Sequence, residues 1–286
     1  MKTGLVLEGG AMRGIYVAGV LDALMEQQVT VDGVIGVSAG AIHGCSYVSG
    51  QYGRSIRYYL RHCKNWRFMS FRSWIFTGNL VNTQFCYHDL PEKLDVYDHE
   101  AFEASPMKFY VTCTNVETGQ AEYILMENMR EIEYLQASAS MPIVSQIVQM
   151  GGKKLLDGGV ADSVPVKAFR NMGYDRCVVV LTRPFGYRKK PSHMGLVKKM
   201  YKSYPAFVKA MEERYIHYNH TMEQIERLEK AGEILVIRPS QDPKIGRMEK
   251  NTEKVQEVYQ LGYADAWNRM EELKAFLKGD QEDGMV

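Results

Sequence analysis

Short apolar runs alternate along the chain with stretches in which apolar residues return every three or four positions, the pattern of strands followed by amphipathic helices. Thr3 to Leu7 reads as a buried strand and runs into Glu8-Gly9-Gly10-Ala11-Met12-Arg13-Gly14, after which Val17, Leu21, Leu24 and Met25 share one helical face. Val31 to Val37 repeats the strand pattern and ends at Ser38, and Ala39, Gly40, Ala41 and Gly44 are small enough for a helix lying close on a sheet. Gln51 to Lys64 predicts another helix, and Asn82 to Leu94 an amphipathic one broken or kinked at Pro91. Met107 to Thr114 and Ala121 to Leu125 flank Glu117-Thr118-Gly119 as strand, turn and strand. Ile132 to Ala139 reads as helix, and Lys153 to Leu156 as a strand ending in Asp157-Gly158-Gly159. Cys177 to Thr182 and Ile234 to Arg238 have the apolar, β-branched density of central strands. Gly186 to Gly232 is basic at first and then helical through Leu228 with an interruption at Pro205, and Thr252 to Leu277 predicts one last amphipathic helix.

This order predicts a single α/β domain over 1–286, with a helical excursion at about 186–232 and a polar tail at 278–286, because a central-looking strand follows the excursion. Parallel strands joined by one helix would bring the Gly9 loop and Ser38 to neighbouring strand ends, where α/β folds hold their sites. Charge changes the picture little: 35 basic against 34 acidic residues give no electrostatic case for a nucleic-acid partner. The five cysteines are odd in number and widely spaced without a C-x-x-C pair, which argues against a disulfide framework or zinc site and for a reducing, cytoplasmic setting. No run approaches a signal-peptide core or a membrane span.

The candidate chemistry sits at the strand ends. Gly36-Val37-Ser38-Ala39-Gly40 has the pattern of a nucleophile elbow, in which a serine in a sharp strand-to-helix turn meets free N–H groups and the positive end of a helix. The Gly9 loop does not suit a dinucleotide, since Ala11 stands where a G-x-G-x-x-G needs glycine, and no Gly-Lys-Ser/Thr marks a Walker loop. Asp157-Gly158-Gly159 alone would be only a turn. The segment from Trp66 to Phe76 is dense in aromatics (Trp66, Phe68, Phe71, Trp74, Phe76). It reads first as a buried cap, with at least half of these residues inside, and second as a membrane-facing mouth with Arg67 and Arg72 reaching outward. Helical spacing places Phe68, Phe71 and Ile75 on one face and Arg67, Ser70 and Trp74 on another.

With Gly9-Gly10-Ala11-Met12-Arg13-Gly14, Gly36-Val37-Ser38-Ala39-Gly40 and Asp157-Gly158-Gly159 in this order, the sequence resembles the patatin-like phospholipases over roughly residues 3 to 185. Ala139-Ser140-Met141-Pro142 and Val164-Pro165-Val166 also resemble the family's surroundings of its aspartate. The resemblance implies a three-layer α/β sandwich around a mostly parallel sheet and a Ser38-Asp157 dyad without histidine. It also implies an oxyanion loop over Gly9, Gly10, Ala11, Met12, Arg13 and Gly14, flanking roles for Gly36, Gly40, Gly158 and Gly159, and no metal or cofactor. The substrate expected is a lipid or ester, reached from the cytoplasm with peripheral contact to a membrane as the lesser reading. This chain departs from the family loop at Glu8, where aspartate is usual, and at Ala11, where a third glycine is usual. Alanine keeps the N–H, so the oxyanion role is compatible provided position 11 does not require positive φ.

In this reading Ser38 attacks an ester carbonyl, Asp157 takes its proton, and N–H groups of Gly10, Ala11 and Met12 hold the oxyanion, while Arg13 steadies the loop or an anionic substrate. One rival is a Ser-His-Asp esterase with His193, His217 or His220 as base; all three fall in the excursion, where surface positions are the rule. The other is a non-enzymatic lipid-binding protein of the same fold.

Overall fold

The structure, a computed structural model, describes residues 1–279; the tail expected at 278–286 lies outside them from Asp280 onward. β1 (Thr3–Leu7), a 3₁₀ turn (Ala11–Gly14), α1 (Ile15–Glu26), β2 (Gly33–Val37) and α2 (Ala39–Val48) open the chain. They are followed by α3 (Arg54–His62), α4 (Phe71–Thr77), a π-helical segment (Phe85–Leu94), α5 (His99–Ala104), β3 (Lys108–Asn115), β4 (Ala121–Met126) and α6 (Glu133–Ser138). Next come β5 (Val148–Met150), β6 (Lys153–Asp157), α7 (Val166–Asn171), β7 (Arg176–Val180), α8 (Gly195–Met200) and α9 (Pro205–Lys230). β8 (Ile234–Ile237), α10 (Thr252–Asn268) and α11 (Met270–Lys278) close it.

The strands form one sheet in the order β5-β6-β3-β2-β1-β7-β8, with β4 also paired to β3. β3, β2, β1, β7 and β8 run parallel, and β4, β5 and β6 are antiparallel additions at the β3 end. Alternation along the parallel strands sends Leu5, Leu7, Val34, Val178 and Val180 to the face covered by α1 and α2. Val6, Ile35, Cys177, Val179 and Val236 go to the face covered by α7 and α9. Both faces are covered, as the near-continuous apolar runs require. α1 and α10 cross in backbone contact: a Cβ on Gly19 would stand 2.0 Å from the Tyr259 carbonyl oxygen, and one on Gly262 would stand 2.0 Å from that of Tyr16.

Four sequence expectations change. Ile234–Ile237 is the edge strand rather than a central one; it reads as central because α9 and the α10 side of the molecule cover both its faces, leaving it fully buried. Pro205 begins α9 instead of interrupting a helix, since its missing N–H costs nothing in a first turn. The single helix expected over 252–277 breaks at Arg269, which leaves helical geometry and donates to the Val236 carbonyl and to Glu272. Pro91 neither breaks nor ends its helix; the Phe85–Leu94 segment winds as a π-helix around it. No helix among the described residues is long and apolar enough to cross a membrane.

Candidate active site

Leu7 of β1 lies opposite Gly36 of β2, so the Glu8–Gly14 loop and Ser38 emerge side by side from parallel strand ends. Ser38 stands at the start of α2 with φ +55° and ψ −122°, a conformation that costs a residue with a side chain and that a strained strand-to-helix elbow imposes. It is held on both sides. Its N–H donates to the Ser138 hydroxyl at 2.8 Å, that hydroxyl donates to the Thr112 carbonyl at 2.7 Å, and the Ser38 carbonyl accepts from the Ile42 N–H at 3.1 Å. The loop comes this near because Gly40 carries no side chain: a Cβ there would meet the Leu7 carbonyl oxygen at 2.5 Å.

Asp157 ends β6, and α6 ties its turn to the elbow. The Ser140 carbonyl accepts the Asp157 N–H at 2.9 Å and the Ser138 carbonyl accepts the Gly158 N–H at 3.4 Å, so one short stretch grips both candidate residues. The Asp157 carboxylate takes the Gly159 N–H at 2.8 Å. Burial pushes its pKa up, and the Arg214 guanidinium, the Gly159 N–H and the Ser38 hydroxyl pull against that. The Ser38 hydroxyl is thus among the groups that act on the Asp157 carboxylate.

The loop ends in a 3₁₀ turn whose Arg13 N–H closes on the Gly10 carbonyl at 3.0 Å, leaving the N–H groups of Gly10, Ala11 and Met12 without a protein acceptor among the described residues. Gly9 and Gly14 serve as spacers against β2 and α2. Glu8 is the anchor. Its carboxylate accepts the Thr182 N–H at 2.6 Å, the Thr182 hydroxyl at 3.0 Å and the Tyr218 hydroxyl at 3.0 Å, so the longer acid in place of aspartate reaches from β1 to the end of β7 and to α9. Position 11 does take a positive φ, +48°, in the left-handed region, so alanine is strained there at a cost of about 1–2 kcal/mol, while its N–H stays without a protein acceptor and in line with those of Gly10 and Met12. Ala11→Gly is expected to keep turnover and to raise stability by up to about 1 kcal/mol, the strain relieved less the freedom glycine gains in the unfolded chain. Thermal melting checks this; a less stable variant would mean that the Ala11 methyl packs better than it strains.

Ser38 and Ala11 open on an apolar cavity of about 110 Å³ lined by residues such as Ile42, Phe68, Met69, Leu90 and Met141. Only Phe68 of the five aromatics is buried; Trp66 is half-buried, while Phe71, Trp74 and Phe76 are exposed, as is Ile75. The expected cap holding at least half of them is therefore not there. The expected helical faces also dissolve, because the helix starts only at Phe71, capped by the Ser70 hydroxyl. Arg72 stacks over Trp66 at 4.7 Å, and Arg67, itself exposed, lies over Phe85 at 4.5 Å.

His193, His217 and His220 are exposed, and among the described residues none hydrogen-bonds Ser38 or Asp157. His43 is buried against Ser55, and burial lowers its pKa to about 3. The excursion contributes other groups, which sequence reasoning missed. Arg214 of α9 donates to the Gly159 carbonyl, Tyr218 holds Glu8, and the Tyr201 hydroxyl accepts the N–H of Ile143, a β-branched residue forced to φ +76°. Ser138, just before the Ala139-Ser140-Met141-Pro142 stretch, carried no signal beyond its position.

Comparison with known proteins matches residues 5–170 to the model described as patatin-like phospholipase and residues 204–278 to a domain of unknown function, DUF6363. A lysophospholipase nte1 of Aspergillus niger is 28% identical over 293 residues, covering 96% of this chain and 18% of that protein. An uncharacterized Escherichia coli protein, YjjU, is 28% identical over 187 residues, covering 64% of this chain and 52% of its own. The chain thus spans under a fifth of the fungal relative and about half of the bacterial one. VipD of Legionella pneumophila superposes with a TM-score of 0.46 at 15% identity, over 95% of this chain and 67% of that one.

Proposed function

We propose that this chain, which belongs to the patatin-like phospholipase family, is a serine lipid acyl hydrolase working through a Ser38-Asp157 dyad. The observation that carries this reading is the convergence of an elbow serine, a buried carboxylate and three unpartnered N–H groups beside one apolar cavity. Ser38 Oγ bonds to the ester carbonyl carbon as Asp157 takes its proton, and the negative oxygen receives the N–H groups of Gly10, Ala11 and Met12. Collapse expels the alcohol, which leaves with the proton held by Asp157, and water then releases the acyl group as a fatty acid. A carboxylate of ordinary pKa is a weak base near neutrality, so the burial that raises Asp157 improves the match. Each oxyanion donor is worth about 10²–10³-fold in turnover, which makes the loop the larger contributor. The Aspergillus niger relative's name agrees with an acyl hydrolase acting on lipid. The test is covalent labelling by a fluorophosphonate, with the adduct mapped to the Ser38 peptide. A protein that binds lipid without hydrolysing it takes no label.

The chain works as one catalytic unit in this reading, supported by β8 joining the same sheet after the excursion and by Tyr218 reaching back to Glu8. It contacts membranes from the cytoplasmic side through α4. Phe71, Trp74, Ile75 and Phe76 are exposed together and follow closely in the chain on Phe68 and Met69, which line the cavity. Trp74→Ala is expected to reduce co-sedimentation with mixed anionic and zwitterionic liposomes several-fold. If wild type stays in the supernatant with every lipid mixture, the aromatic helix is no anchor and monomeric esters are the better substrates.

A further inference from the structure

The wall of the cavity beside Ser38 is not apolar throughout. Arg54 and Tyr58 of α3 line it together with Ser38, Ala11 and Tyr97. Positions 54 and 58 are four apart and so share one helical face. Both side chains belong to buried residues, Arg54 being 5% and Tyr58 2% exposed. Yet among the described residues neither Arg54 Nε nor the Tyr58 hydroxyl has a hydrogen-bond partner.

The rest of the Arg54 guanidinium is fixed in place. Nη2 donates to the Asp95 carbonyl at 2.9 Å and Nη1 to the Ser46 hydroxyl at 3.4 Å, with the Tyr58 ring centre 5.4 Å and the Tyr97 ring centre 5.1 Å from its central carbon. The Asp95 carboxylate does not take Nε: Arg57 occupies its two oxygens at 2.7 and 2.8 Å, and Arg54 Nε stands 3.6 Å away. The Tyr97 hydroxyl is also used, donating to the Cys45 carbonyl at 2.9 Å. Cys45 and Ser46 lie on α2 seven and eight positions after Ser38, about 10–12 Å along the helix axis. The cavity therefore begins at the candidate nucleophile and reaches two unused donors beside the far half of the same helix.

A buried donor without an acceptor carries its full desolvation cost, and a ligand group can offset that cost where the donor faces a cavity. Arg57 and Arg61 of the same helix are largely open to solvent, so the buried charges are Arg54 and Asp95, which balance. A neutral oxygen suits such a place. A hydroxyl accepts from Arg54 Nε and exchanges a hydrogen bond with Tyr58, whereas a methyl terminus leaves both donors unmade. A carboxylate would bring a second negative charge beside Asp95 with no second buried cation to meet it.

We propose that the cavity takes an acyl chain carrying a hydroxyl near its far end, with Tyr58 and Arg54 as the specificity-determining residues that bind it. The inference rests on the acyl-hydrolase reading and narrows the acyl group it accepts. A site built to hydrogen-bond a substrate hydroxyl rejects the analogue without one, whereas a plain apolar pocket disfavours the hydroxyl.

The test compares p-nitrophenyl esters of plain and ω-hydroxy acids, in a matched series from octanoyl to dodecanoyl, on wild type, Tyr58→Phe and Arg54→Lys. Tyr58→Phe removes only a hydroxyl that holds nothing, so it is expected to melt no earlier than wild type and keeps the test valid even where Arg54→Lys does not fold. At the best-fitting length wild type is expected to favour the hydroxylated ester by about tenfold or more in kcat/KM, and each variant to shrink that ratio several-fold. In calorimetry with the Ser38→Ala protein, the free ω-hydroxy acid is expected to bind more tightly than the plain acid of equal length. A wild-type preference for the plain ester at every length overturns the subsite and leaves the hydrolase standing. Hydroxyl preference that survives unchanged in Tyr58→Phe overturns the assignment to this wall. Half-esters of the matching dicarboxylic acids turned over faster than the hydroxylated ones overturn the neutral hydroxyl in favour of a charged terminus. Tighter binding of the hydroxylated acid with no turnover of any ester overturns the hydrolase reading instead.

Discussion

Ser38→Ala loses ester turnover by on the order of 10⁴–10⁶-fold, together with fluorophosphonate labelling, and keeps its fold. The loss is expected to be this large because the remaining N–H groups can polarise a carbonyl but offer nothing to attack it. The fold survives for reasons visible around the residue. The backbone bonds of Ser38 to Ser138 and Ile42 do not involve its hydroxyl, and alanine tolerates φ +55° no worse than serine. Circular dichroism and melting should therefore match wild type while the lipid assay falls to background. A variant that still hydrolyses ester would move the nucleophile elsewhere.

Asp157→Asn is expected to lower turnover by about 10²–10⁴-fold, the worth of a general base. The sign of its pH behaviour follows from burial. A base must be ionised, so wild-type activity is lost as pH falls through the raised pKa of Asp157, and the asparagine variant's residual activity lacks that limb. Stability runs the other way. A carboxylate whose folded pKa is raised binds its proton more tightly when folded, so stability declines as pH climbs through the window above the ordinary carboxylate value. The variant is accordingly expected to melt no earlier than wild type at neutral pH, which separates lost chemistry from lost structure. Activity within a few-fold of wild type would reduce Asp157 to a turn residue.

The strands and the three glycine-bearing motifs were legible because their signals are local: apolar runs ending in Gly9, Ser38 and Asp157 describe strand ends, and parallel connection brings the first two together. What escaped notice depends on distance along the chain. Glu8 gives no hint that its partner is Tyr218, 210 positions later, and Arg214 looks in sequence like any cation of a surface helix. Ile234–Ile237 looked central because burial, not strand order, sets composition. Trp66 to Phe76 misled because periodicity was read through a turn: Ser70 caps a helix that begins one residue later, so the spacing before it has no common axis. Ala11 stands out in the sequence as a departure from the family loop, yet only the backbone angle reveals that alanine is strained there.

The bond from Tyr218 to Glu8 also sets a schedule. A ribosome finishes Gly9, Ser38 and Asp157 well before it reaches α9, and chains take shape from the N-terminus onward as they emerge. Until Tyr218 arrives, the Glu8 carboxylate has Thr182 but not its second anchor, and the N–H groups that follow are tethered from one side. A prematurely ended chain thus carries every motif with the loop held by one partner fewer. For a protein proposed to cleave lipids, the last support of the candidate oxyanion loop therefore comes from the final third of the chain.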